Sequence, residues 1–132
     1  MKIAFVAAAL LVALLPVEQG LAKENPPKLP PNAKKLTGGE ITALYDGETV
    51  NWHNYALGGT GNATYDLKKG VQTGTWNIGG KSGAINGKIR VKGDTFCYTV
   101  NNKEECDSVY TDGADTYEVN SKGVVVSKNQ KQ

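Results

Sequence analysis

The chain carries one histidine and two cysteines, which limits nucleophilic and metal chemistry from the start. His53 follows Trp52. An imidazole titrates near neutral pH and can move protons, but it needs a partner within hydrogen-bond reach. No carboxylate stands at a local spacing that supplies one. Glu48 and Asp66 are the acids that a fold could bring to it, and they define the single enzymatic alternative. Without a neighbouring Cys or clustered acids, His53 is a poor metal ligand. Cys97 and Cys106 have eight residues between them, not the C-x-x-C spacing of redox or zinc motifs, and read as a structural pair. No G-x-S-x-G, S-x-x-K, H-E-x-x-H or phosphate loop occurs. Asp112-Gly113-Ala114-Asp115 brings two acids to a turn but lacks the other ligands of a calcium loop. Gly58-Gly59-Thr60-Gly61 leads into a strand-like segment rather than a helix, so it reads as a flexible hairpin loop and not an anion cradle. Neither a catalytic constellation nor a cofactor or metal site is expected. What remains is an aromatic set, Trp52, Tyr55 and Trp76 with His53, which would line a pocket for a small apolar ligand if it gathered at a barrel mouth.

These residues fall in short alternating runs separated by turn signals, the texture of an antiparallel β protein. The expected strands are residues 49–54, 62–67, 71–78, 84–91, 95–100, 105–111, 116–120 and 124–127. Their connections are too short for helical crossovers, so neighbours should pair as hairpins. The expectation is a mainly β fold, a short helix followed by a meander of up to eight strands. It should close as a small barrel, with a sandwich as the alternative. Alternation puts Val50 with Trp52, Ala63 with Tyr65 and Leu67, Trp76 with Ile78, and Ile89 with Val91. Phe96, Tyr98, Val100 and Val109 share a face in the last long hairpin. On strict alternation His53 points away from the apolar side.

The cysteines specify register. With Asn101-Asn102 as a two-residue turn, Val100 pairs with Lys103, and Cys97 falls opposite Cys106 at a non-hydrogen-bonded position. There the Cα atoms approach to about 4.5 Å, at the short end of the disulfide range. Asn tolerates the positive φ that a type I′ turn requires. The disulfide should brace the less apolar face, beside Thr95, Thr99 and Ser108, and contribute about 2–3 kcal/mol.

The amino terminus reads as a secretory signal. Met1-Lys2 precedes an apolar run over residues 3–15, too short to span a membrane, which takes about 20 residues. Pro16 ends the run, and Gly20-Leu21-Ala22 places cleavage after Ala22, giving residues 1–22 as signal peptide. The mature protein is expected to be periplasmic or secreted, without stable membrane insertion. Residues 23–35, with Pro26-Pro27 and Pro30-Pro31, read as a flexible leader. Residues 36–127 form one domain, and residues 128–132 a polar tail. Thr37 with Glu40 fits a capping box, and Ile41, Leu44 and Tyr45 share a helical face, so a helix is expected over about 38–46. A net charge of +2, with scattered basic residues, argues against nucleic acid as a partner. Asn62-Ala63-Thr64 is a glycosylation acceptor that would matter only in a eukaryotic secretory pathway.

The order of Leu36-Thr37-Gly38-Gly39-Glu40-Ile41, Leu44-Tyr45-Asp46-Gly47-Glu48-Thr49, Gly74-Thr75-Trp76, Cys97-Tyr98-Thr99 and Cys106-Asp107-Ser108-Val109-Tyr110 resembles an uncharacterised family of small exported proteobacterial proteins. The resemblance covers about residues 36–126 and implies an exported bacterial β protein. It brings no catalytic residues. The functional expectation is a non-enzymatic exported domain that binds a small ligand, an envelope component or a protein, inhibition of a lytic enzyme being one concrete version. A structural envelope protein, or an enzyme built on His53, is the alternative.

Overall fold

The computed structural model describes residues 24–132, so the signal segment and its cleavage after Ala22 lie outside the described residues. The elements are β1 (Lys34–Lys35), α1 (Gly38–Tyr45), β2 (Thr49–Asn54), β3 (Gly59–Asp66), β4 (Val71–Ile78), β5 (Lys81–Lys92), β6 (Thr95–Val100), β7 (Lys103–Thr111), β8 (Asp115–Val119) and β9 (Val125–Lys131). Strands β2 to β9 pair antiparallel in chain order, and β9 returns to pair with β2. The result is a closed eight-stranded barrel, not a sandwich, and closure leaves no long exposed edge among the described strands. β1 adds to β7 beyond the end of β6, through Lys34 opposite Thr111 and Lys35 opposite Tyr110.

The helix is set by its own sequence. Thr37 accepts the Glu40 amide while the Glu40 carboxylate accepts the Thr37 amide, the reciprocal capping box. Its apolar face drives Ile41 and Tyr45 into one end of the barrel, where both are fully buried. Tyr45 stacks on Tyr65 and meets Phe96 edge-on, with ring centroids 5.0 and 5.1 Å apart. The start of α1 docks on the β5–β6 turn, where the Gly38 amide donates to Asp94 at 2.8 Å. A Cβ at Gly38 would lie 2.1 Å from the Gly93 carbonyl oxygen, so only glycine permits this approach. The helix therefore plugs one end of the barrel and leaves the other, bearing the Asn101-Asn102 turn, open.

In that turn Asn101 and Asn102 have φ of 50° and 61°, as a type I′ turn requires. Cys97 lies opposite Cys106, with Cα atoms 4.0 Å apart and sulfurs at bonding distance. The pair is on the outer wall, opposite in parity to Phe96 and Tyr98. Beside it the Arg90 guanidinium grips Glu104 bidentately from the strands on either side of β6.

Several boundaries differ from those read in the sequence. Gly59, Thr60 and Gly61 are not a loop but the start of β3, paired to both β2 and β4. β9 runs to Lys131, through the residues read as a polar tail, because pairing with β2 closes the barrel there. The leader is also engaged: Lys34–Lys35 is a strand, and the Glu24 amide donates to the Tyr55 carbonyl at 3.1 Å. Leu29 packs on an outer cluster of Tyr117, Val119 and Val125. Proline removes backbone donors but does not prevent an apolar side chain from covering an apolar patch.

Candidate functional site

Across the open half of the barrel, β2 to β5 present one inward row. Trp52 is opposite Gly61, Gly61 opposite Trp76, and Trp76 opposite Gly83. A Cβ at Gly83 would lie 2.7 Å from the Trp76 ring, and one at Gly61 2.5 Å from the Trp52 ring. Each glycine thus gives a tryptophan a flat seat against the wall. The rings lie along the barrel instead of filling its lumen.

What they leave is an open cavity of about 410 Å³ lined by Trp52, Trp76, Ile78, Ile85, Val100 and Asn101 near the rim, with Tyr65, Gln72, Phe96, Tyr98 and Ser127 deeper. This volume lies in the range that holds a small molecule, and eight-stranded barrels are wide enough for one such ligand. Both tryptophans of the chain face this space.

The interior becomes polar toward the plug. The Tyr98 hydroxyl donates to Asp107 at 2.9 Å, and Ser127 donates to the His53 carbonyl at 3.1 Å. Glu118, the register partner of Ser127, is 6% exposed, and its Oε1 has no hydrogen-bond partner among the described residues. Below it Asn129 donates to the Tyr45 hydroxyl at 3.3 Å, which also bonds Thr116. Burial, reinforced by the Asp107 charge, pushes the Glu118 carboxyl up to about 8, against a smaller opposing contribution from Asn129. Burial likewise raises Asp107, and the Tyr98 hydroxyl opposes that shift. Desolvation first, and then Glu118, push the Tyr98, Tyr65 and Tyr45 hydroxyls up as well.

The four aromatic and imidazole candidates separate into two places. Trp52 and Trp76 line the cavity. His53 and Tyr55 are stacked on the outside with ring centroids 4.4 Å apart, and His53 Nε2 meets the Glu24 carboxylate at 2.5 Å. Neither Glu48 nor Asp66 is its partner: Glu48 pairs with Lys131, and Asp66 caps the Lys69 amide. A shallow outer groove borders His53, Tyr55 and Lys128, but His53 is tied to Glu24 and Lys128 to Asp115. Asp112 accepts the amides of Ala114 and Asp115, so turn formation accounts for that acidic pair. One close cluster of possible metal ligands is found among the described residues, Glu104 with Cys97 and Cys106. Its two sulfurs are bonded to each other.

Asp107 and Glu118 are the site residues that sequence reasoning missed. For Asp107 a signal existed: counting out from the Asn101-Asn102 turn places it opposite Phe96 and therefore inside. For Glu118 it did not. In β8 the apolar Tyr117 and Val119 face outward toward Leu29 while Thr116 and Glu118 face inward, the reverse of what hydropathy assigns. No helix among the described residues is long and apolar enough to cross a membrane. Comparison with models of known families, with curated proteins and with solved structures finds no match.

Proposed function

We propose that this chain is an exported, non-enzymatic binding domain whose barrel mouth holds one small, partly apolar molecule. The observation that carries this reading is the open cavity of about 410 Å³ beneath Trp52 and Trp76, kept clear by the glycine seats. A barrel with no binding role would gain dispersion and burial energy by turning those rings into the lumen. Export rests on the apolar run over residues 3–15, on the small residues before the cleavage position and on the cysteine pair.

Because the chain has two tryptophans and both line the cavity, its intrinsic fluorescence reports occupancy directly. Titration with the apolar probe N-phenyl-1-naphthylamine should quench tryptophan emission saturably. Native mass spectrometry of protein isolated from the exported fraction of its own cells should show a small bound mass. Tryptophan emission indifferent to the probe, together with a bare protein mass, would overturn the reading.

A further inference from the structure

Two hydroxyls that line the cavity, those of Tyr98 and Ser127, have their protons committed elsewhere. Tyr98 donates to Asp107 or, at 3.5 Å, to Glu105, and Ser127 donates to the His53 carbonyl or, at 3.5 Å, to Asn129. What both present to the lumen is lone pairs. Behind them lie two carboxylates, Asp107 and Glu118, and neither is in an ion pair with any described residue. The Oε1 of Glu118 is buried without a partner among the described residues. Buried acids facing acceptor-only hydroxyls complement a donor that carries positive charge, and they disfavour an anion. At the rim, Trp52 and Trp76 offer apolar area and π faces that also attract cations.

We propose that the ligand is an amphiphilic primary amine. Its apolar body lies along Trp52, Trp76, Ile78 and Ile85, and its ammonium donates to the Tyr98 and Ser127 hydroxyls in the field of Asp107 and Glu118. This rests on the small-molecule reading above and names the ligand's chemical class. Selectivity should depend on pH, because an ammonium favours the ionised form of Glu118, which burial disfavours. The groups facing Glu118 are Tyr45 from α1, Tyr65 from β3, Tyr98 from β6, Asp107 from β7, and the neutral Ser127 and Asn129 from β9.

The test uses the mature chain and three probes that share one alkyl body: octylamine, octanol and octanoate. Tryptophan emission is followed at pH 6 and pH 9. An alkyl ammonium remains mostly charged at both values, like a lysine side chain with its pKa of about 10.4. Octylamine should bind at least tenfold more tightly than octanol at pH 9, with a smaller preference at pH 6 and with octanoate weakest. In Glu118→Gln, octylamine affinity should fall toward the level of octanol in the same variant, and Asp107→Asn should act in the same direction. Equal octylamine and octanol affinities in the wild type would refute the amine inference while leaving the cavity reading intact. So would a preference that survives both substitutions. Failure of all three probes to change tryptophan emission would overturn the amine inference, and together with a bare native mass it would overturn the cavity reading as well.

Discussion

Replacing Glu118 with glutamine should abolish a large pH dependence of stability. In the folded barrel the Glu118 carboxyl is raised from its ordinary 4.5 to about 8, because burial penalises its charge and Asp107 adds repulsion. In the unfolded chain it ionises at its ordinary value. Between these values the native state holds a proton that the unfolded state has lost, so stability falls as pH rises. The contribution is fully present below 4.5 and is lost as pH climbs through about 8. The slope is about 1.4 kcal/mol per pH unit, so this one group accounts for a loss of about 4 kcal/mol between pH 4.5 and pH 7.5. That is a large share of the ~5–15 kcal/mol that holds a typical domain together.

Glutamine keeps the shape and cannot ionise. Asp107, which is also raised, contributes with the same sign in both proteins and largely cancels in the comparison. Urea unfolding followed by far-ultraviolet circular dichroism, at half-unit intervals from pH 4.5 to 8.5, gives the two profiles. The wild-type midpoint should decline more steeply with pH than that of Glu118→Gln at constant m-value, the difference between the profiles being the contribution of Glu118. Parallel profiles would show that Glu118 ionises freely in the folded state and would refute the burial argument.

Gly83→Ala places a methyl against the Trp76 ring and should push that ring into the lumen. Stability should fall by about 1–3 kcal/mol and probe affinity at least tenfold, read by urea titration and tryptophan emission. Tyr45→Phe removes the hydroxyl shared by Thr116 and Asn129, and should cost about 1–2 kcal/mol in chemical unfolding without altering the cavity mouth. Converting both Cys97 and Cys106 to alanine should cost about 2–3 kcal/mol, and nonreducing peptide mapping of the wild type should recover the two cysteines in one linked fragment.

The sequence by itself determined what acts over short distances along the chain. Thr37 and Glu40 name the start of the helix, Asn101-Asn102 names the turn, and counting from that turn places Cys97 across from Cys106. Two-residue turns and capping boxes are satisfied by neighbours, so their residues announce them. Alternation also aligned Trp52 with Val50 and Trp76 with Ile78 and turned His53 away from the apolar side, although it could not say that His53 would meet Glu24. Only the tertiary structure decided the site. Pairing of β2 with β9 closes the barrel, α1 stoppers one end, and glycines on β3 and β5 seat the two tryptophans of the neighbouring strands. Closure also brings Glu118 into the same interior as Asp107 from a strand whose apolar residues face outward under the leader. Hydropathy reports whether a residue is covered, not by which layer. In β8 both faces are covered, so the inward acid acquires its meaning only once the barrel has closed around it.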